Sequence, residues 1–175
     1  MPLRNLVHRE RSQELFQQAI GEFGLKFLGW REVPVNLDAL GEWAISLRPY
    51  IVQAFIGRPP ALAPGDSFER ALYLARKRAT QLCWAESITN FYIASLSSKS
   101  IVYKGLFMAP QLGNFYTDVA DPDFETALAV FHQRYSTNTF PTWERAQPFR
   151  YLCHNGEINT VRGNISWMRA READL

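Results

Sequence analysis

His132-Gln133-Arg134-Tyr135-Ser136-Thr137-Asn138-Thr139 and, further along, His154-Asn155-Gly156-Glu157-Ile158-Asn159-Thr160 decide how this chain is read. The first segment sets an arginine beside hydroxyl and amide groups. A guanidinium fork suits a carboxylate because it offers two parallel charge-assisted bonds, which a lysine cannot. The second segment sets the Asn155 side-chain amide next to the Gly156 backbone N–H. Two neutral donors of this kind can converge on one oxygen, and glycine permits the close approach. The pair describes a pocket that holds a carboxylate at one end and a polarised carbonyl at the other. Each segment also has a plainer reading. Asn-Gly is a strong hairpin signal, with residues 151–153 and 158–161 as its strands. Arg134 could be a solvated surface arginine or pair with Glu157, and Ser136, Thr137 and Asn138 before Pro141 could be turn chemistry.

Bulk properties narrow the classes. The 175 residues are the size of one domain, able to bury roughly 70% of the unfolded surface. With 47% hydrophobic and 21% charged residues the composition is that of a globular protein rather than a disordered one. The 19 basic and 17 acidic residues leave a net charge of +2, too little to imply nucleic acid or a membrane surface. No apolar run approaches the ~20 residues that span a bilayer, and the start lacks the apolar core of a secretory signal. A cytoplasmic location is the expectation, with a plastid origin as the alternative. Cys83 and Cys153 form neither a CxxC nor a metal-ligand spacing, and His8, His132 and His154 are dispersed. Neither a disulfide framework nor a metal site is expected.

Periodicity predicts a helix over residues 9–20, with Leu15, Phe16, Ala19 and Ile20 on one face and Gly21 and Gly24 ending it. A strand is expected at 26–33, a helix from Asp38 to Leu47, and a strand at 50–56. A loop at 57–66 leads to a helix from Ser67 to about Cys83, with Leu72, Ala75 and Ala79 inward. Strands are expected at 91–96, 101–103, 128–135 and 149–154. A helical turn is expected near 109–113, a turn at 121–123, and a helix from Asn164. This mixture implies an α+β or layered α/β architecture. Within the chain the nucleophile candidates are poor. Cys153 and His154 are neighbours on an expected strand and so point to opposite faces. Cys83 sits between Leu82 and Trp84 on a helix, the setting of a buried inert thiol.

The ordered motifs make a resemblance specific. They are Arg134-Tyr135-Ser136-Thr137-Asn138-Thr139-Phe140-Pro141, Ala146-Gln147-Pro148-Phe149-Arg150-Tyr151, His154 to Thr160, Arg162-Gly163-Asn164 and Trp167-Met168-Arg169-Ala170-Arg171-Glu172. Upstream stand Leu28-Gly29-Trp30-Arg31-Glu32-Val33-Pro34, Phe68-Glu69-Arg70, Ser95-Leu96-Ser97-Ser98 and Ile101-Val102-Tyr103-Lys104-Gly105. Together they closely resemble the glutamine amidotransferase domain of glutamate synthase large subunits, over nearly the whole chain.

The resemblance implies an N-terminal-nucleophile hydrolase fold, an α+β four-layer αββα sandwich, incomplete at both ends across 1–175. It implies a cysteine at the mature N-terminus that attacks the glutamine side-chain amide, with its own α-amino group as base. Asn155 and Gly156 would form the oxyanion hole; Arg134 would bind the substrate α-carboxylate, with Thr137 and Asn138 beside it. The nucleophilic cysteine is expected before Met1, the end of the domain and an acidic residue for the substrate α-amino group beyond Leu175. Cys153, where a small residue is expected, reads as packing. FMN and an iron–sulfur cluster are expected in the rest of the parent enzyme and none in this segment. The implied partners are L-glutamine, the remaining large-subunit domains, and a small reductase subunit or ferredoxin. A stand-alone, inactive remnant acting as a glutamine-binding or interaction module is the competing expectation.

Overall fold

The computed structural model describes residues 5–135, 139–148 and 160–174. Helix α1 (Leu6–Glu22) starts at Asn5, whose side chain accepts the His8 N–H at 2.9 Å and so satisfies one of the helix's unpaired donors. It buries Ser12, Leu15, Phe16, Ala19 and Ile20, the face expected from the apolar spacing. Gly21 lies inside the helix, and Gly24 ends it at φ 66°, a conformation that glycine adopts without steric cost. The Gly24 N–H reaches the Gly21 carbonyl and the Leu25 N–H the Ile20 carbonyl, which closes the C-terminus with Leu25 packed inward.

Strands β1 (Lys26–Glu32) and β2 (Val52–Gly57) form an antiparallel pair with a bulge at Leu28–Gly29. Between them, the helix expected from Asp38 to Leu47 is broken. Asn36 caps a single 3-10 turn (Leu37–Ala39), and a short α2 (Glu42–Ser46) begins only after Gly41. Helix α3 (Asp66–Ala85) buries Phe68, Leu72, Ala75, Ala79 and Cys83. Alanines on both helices let α1 and α3 approach closely, and Arg11–Glu86 and Arg78–Glu22 ion pairs tie the two helices at their flanks. One core therefore lies between α1, α3 and the inner face of β1–β2, closed by Ile88, Phe91 and Leu96.

A second core gathers Val33, Leu40, Ala44, Leu106, Phe115, Tyr116 and Trp143 around α4 (Leu112–Phe115). It is aromatic: the Phe115 ring stands 4.6 Å from Tyr116 and 5.7 Å from Trp143, centroid to centroid. Helix α5 (Val161–Arg171) is capped by Thr160, whose side chain accepts the Gly163 N–H at 3.1 Å.

The expected strands at 91–96, 101–103 and 128–135 are not present; these stretches run as irregular chain. Their apolar, β-branched residues suit a ladder, yet the only sheet among the described residues is the β1–β2 pair. Instead, Glu69 on α3 fixes the 97–98 corner by accepting from the Ser97 and Ser98 hydroxyls and the Ser98 N–H. The helical turn near 109–113 and the turn at 121–123 form as expected. The strand expected at 149–154 lies outside the described residues.

Candidate active site

Arg134 is exposed and lies in the wall of an open cleft of about 970 Å³. Segments 97–105 and 124–135 form much of that wall, with Lys104 and Tyr135 among its residues. The Arg134 backbone N–H reaches His132 Nδ1 at 3.3 Å, a local side-chain bond to its backbone. Its guanidinium pairs with no carboxylate at salt-bridge distance among the described residues, and Glu157, the alternative partner, lies outside them. Thr137, Asn138, Asn155 and Gly156, with Glu157, Cys153 and His154, lie outside the described residues. The structure therefore places one of the five expected site residues. It also corrects the hairpin reading at its far end: Thr160 is a helix cap and Val161 the first residue of α5, so no strand extends through Val161.

Between the two motif segments the chain turns at residues 142–146, and the turn is held from three directions. The Tyr135 hydroxyl donates to the Thr142 carbonyl at 2.5 Å. The Trp143 indole N–H donates to the Ala44 carbonyl at 3.1 Å, with the ring 4% exposed. Lys104 Nζ donates to the Glu144 carbonyl at 2.6 Å. Lys104 is itself only 8% exposed, and burial lowers its ammonium to about 8, against the opposing field of Glu144. No role was expected for Lys104, Tyr135 or Trp143, although the first two are members of the motifs and the third lies between two of them. The legible signal was a lone lysine inside the apolar run from Ile101 to Phe107.

Cys83 meets its expectation: it is fully buried on α3, and burial pushes its thiol up to about 11. Such a thiol carries almost no thiolate at neutral pH and has no access to a substrate. A separate polar knot joins β1 to the second core, where Arg31 makes a two-armed bond to Asp118 at 2.6 and 2.8 Å. Gln53 and Tyr103 complete it, and Asp118 is held below its ordinary pKa chiefly by that arginine. This arginine is already paired; Arg134 is the one that faces the cleft.

The structure places Arg134 on the cleft wall, and the sequence carries Asn155-Gly156 further along the same chain. The family model of the class-II glutamine amidotransferases matches residues 3–175, and the chain belongs to that family. It is 48% identical over its whole length to the glutamate synthase [NADPH] large chain of Azospirillum brasilense, of which it covers 12%. It is 51% identical over 94% of its length to the corresponding large chain of Bacillus subtilis strain 168, covering 11% of it. With ferredoxin-dependent glutamate synthase 1 of Arabidopsis thaliana the identity is 44% over 95% of this chain, 10% of that protein. The chain thus spans about a tenth of the length of these relatives.

Proposed function

We propose that this chain forms part of the glutaminase domain of a glutamate synthase, and that its cleft binds L-glutamine for hydrolysis to glutamate and ammonia. The observation that carries this reading is the family match across residues 3–175, which takes in Arg134, Thr137, Asn138, Asn155 and Gly156 together. In the reading, Arg134 binds the α-carboxylate and Thr137 and Asn138 line the pocket beside it. A cysteine thiolate attacks the side-chain carbonyl carbon, and the oxygen takes up negative charge. Asn155 and Gly156 donate to that oxygen where the charge develops. The tetrahedral adduct collapses with loss of ammonia, whose extra proton comes from the attacking group's base, and leaves a thioester. Water attack through a second tetrahedral adduct frees glutamate and restores the thiol.

The sealed position of Cys83 speaks against that thiol, and with Cys153 read from sequence as packing the attacking thiol is placed in sequence outside these 175 residues; the length of the relatives leaves ample chain for it. Residues 1–175 are on this account one part of the domain. The four-layer αββα sandwich belongs to the same proposal. Val33 N–H bonds to the Ile51 carbonyl, so alternation turns the backbone groups of Val52 and Ala54 toward the outer edge of β2. That edge borders a cavity of about 330 Å³, with residues from the 91–104 chain on its far wall. Further strands there would extend β1–β2 into a layer, and a two-stranded sheet alone is marginal.

Ammonia would serve the reductive amination of 2-oxoglutarate elsewhere in the parent, where FMN and an iron–sulfur cluster would be held. Among the described residues no group of three or more His, Cys, Asp or Glu could ligate a metal. A small reductase subunit or ferredoxin is the proposed electron-donating partner, and the cytoplasm or a plastid the proposed location. Among the described residues no helix is long and apolar enough to cross a membrane.

The test is ammonia release from L-glutamine by the complete gene product and by the 175-residue chain. The complete product is expected to release it and the short chain to stay at background. Thiol-dependent release by the short chain, abolished by Cys83→Ala or Cys153→Ala, would contradict the placement of the nucleophile.

A further inference from the structure

A buried ammonium is costly unless its bonds are needed, and Lys104, 8% exposed, donates to the backbone carbonyl of Glu144 on a neighbouring turn. We propose that Lys104 is a positioning residue for the glutamine pocket: it clamps the 142–146 turn, and through Tyr135 the turn sets Arg134. The inference rests on the glutamine reading above.

The chain of contacts is short. The Tyr116 hydroxyl donates to the carbonyl of Lys104 at 2.9 Å, which anchors the lysine backbone to the aromatic core. From that anchor Nζ reaches the Glu144 carbonyl, and the ammonium lies 5.3 Å from the Tyr92 ring centroid, within cation–π range. The fields of Glu144 and Arg76 reach it, with opposite effects on its charge. The far side of the turn is held by Trp143 against the Ala44 carbonyl. Its near end, the Thr142 carbonyl, accepts the hydroxyl of Tyr135, the residue next to Arg134. Lys104 and Arg134 line the same cleft. Lys104 thus acts on the substrate carboxylate through the turn and Tyr135, not by touching it.

The experiment measures kcat and KM for glutamine-dependent ammonia release in the complete gene product. K104M is expected to raise KM about tenfold, the scale of one lost charge-assisted hydrogen bond, with kcat nearly unchanged. K104R, which keeps the charge and the donor, is expected to restore most of the affinity. Y135F is expected to raise KM as well, and K104M/Y135F to be no worse than the poorer single variant, because both act through one turn. Thermal midpoints are recorded alongside. A KM equal to wild type in K104M or in Y135F overturns the proposal. So does a fall in kcat proportional to lost folded protein at constant KM, which is what a merely structural lysine would give. If K104M yields no folded protein, K104Q is read by the same criteria. Arg134→Ala separates the two levels: if it leaves KM unchanged, the glutamine pocket itself is misread. If it raises KM and K104M does not, only the clamp fails.

Discussion

At Gly105 the backbone passes between two aromatic rings. A Cβ built there would stand 2.4 Å from Phe107 Cε1 and 2.5 Å from Trp143 Cζ3, distances that real Cβ atoms essentially never show. Trp143 cannot retreat without giving up its bond to Ala44. Gly105→Ala is therefore expected to cost about 1–3 kcal/mol by overpacking, read as a lower urea midpoint at unchanged slope. Its neighbour carries a pH signature. Burial lowers Lys104 to about 8, from an ordinary 10.5 that the unfolded chain keeps. Between those values the unfolded state binds more protons, so this residue makes stability rise with pH across roughly pH 8 to 10.5. Wild type minus Lys104→Met should show that slope in urea unfolding, and a flat difference would contradict the burial. In the sequence, Lys104 and Gly105 read only as members of a motif. Their constraints come from Trp143 and Glu144, too far along the chain for any local pattern to reveal.

Helices were the legible elements because their evidence is local. The faces of α1 and α3 follow from apolar spacing alone, and Gly24 from the need for a positive φ. Helix α3 ends in the same way as α1, but with Ser87 at φ 60° where a glycine would be easier. The Ser87 N–H bonds to the Trp84 carbonyl at 2.9 Å and the Ile88 N–H to the Cys83 carbonyl at 2.8 Å, so the turn itself is sound. Ser87→Gly should then stabilise the protein by roughly 1 kcal/mol, since the left-handed penalty disappears. A thermal midpoint that falls would show that the serine hydroxyl matters more than the backbone. Strands were less legible, because a strand needs a partner that the sequence does not name. Residues 91–96, 101–103 and 128–135 have the composition of strands without a ladder to join. The 38–47 helix failed for a local reason: Leu40 turns extended and ends the first turn, and Gly41 starts a second helix.

Across the molecule, two cores meet where β1 and β2 pass from the α1–α3 layer to the aromatic cluster. The cleft with Arg134 opens beside the second core, against which its lining residues Tyr103, Phe107, Leu112 and Tyr135 pack. Family membership was readable from motif order across the chain, and the match over residues 3–175 bears it out. Of the proposed site, Arg134 has a place in the structure on the cleft wall; the proposed carbonyl end rests on Asn155 and Gly156 as sequence. The most direct measurement is therefore the steady-state kinetics of glutamine hydrolysis by Asn155→Ala in the complete gene product. An oxyanion donor acts mainly in the transition state, so kcat should fall by about 10²–10³ while KM stays close to wild type. A raised KM with kcat intact would contradict the account and make Asn155 a substrate-binding or turn residue instead.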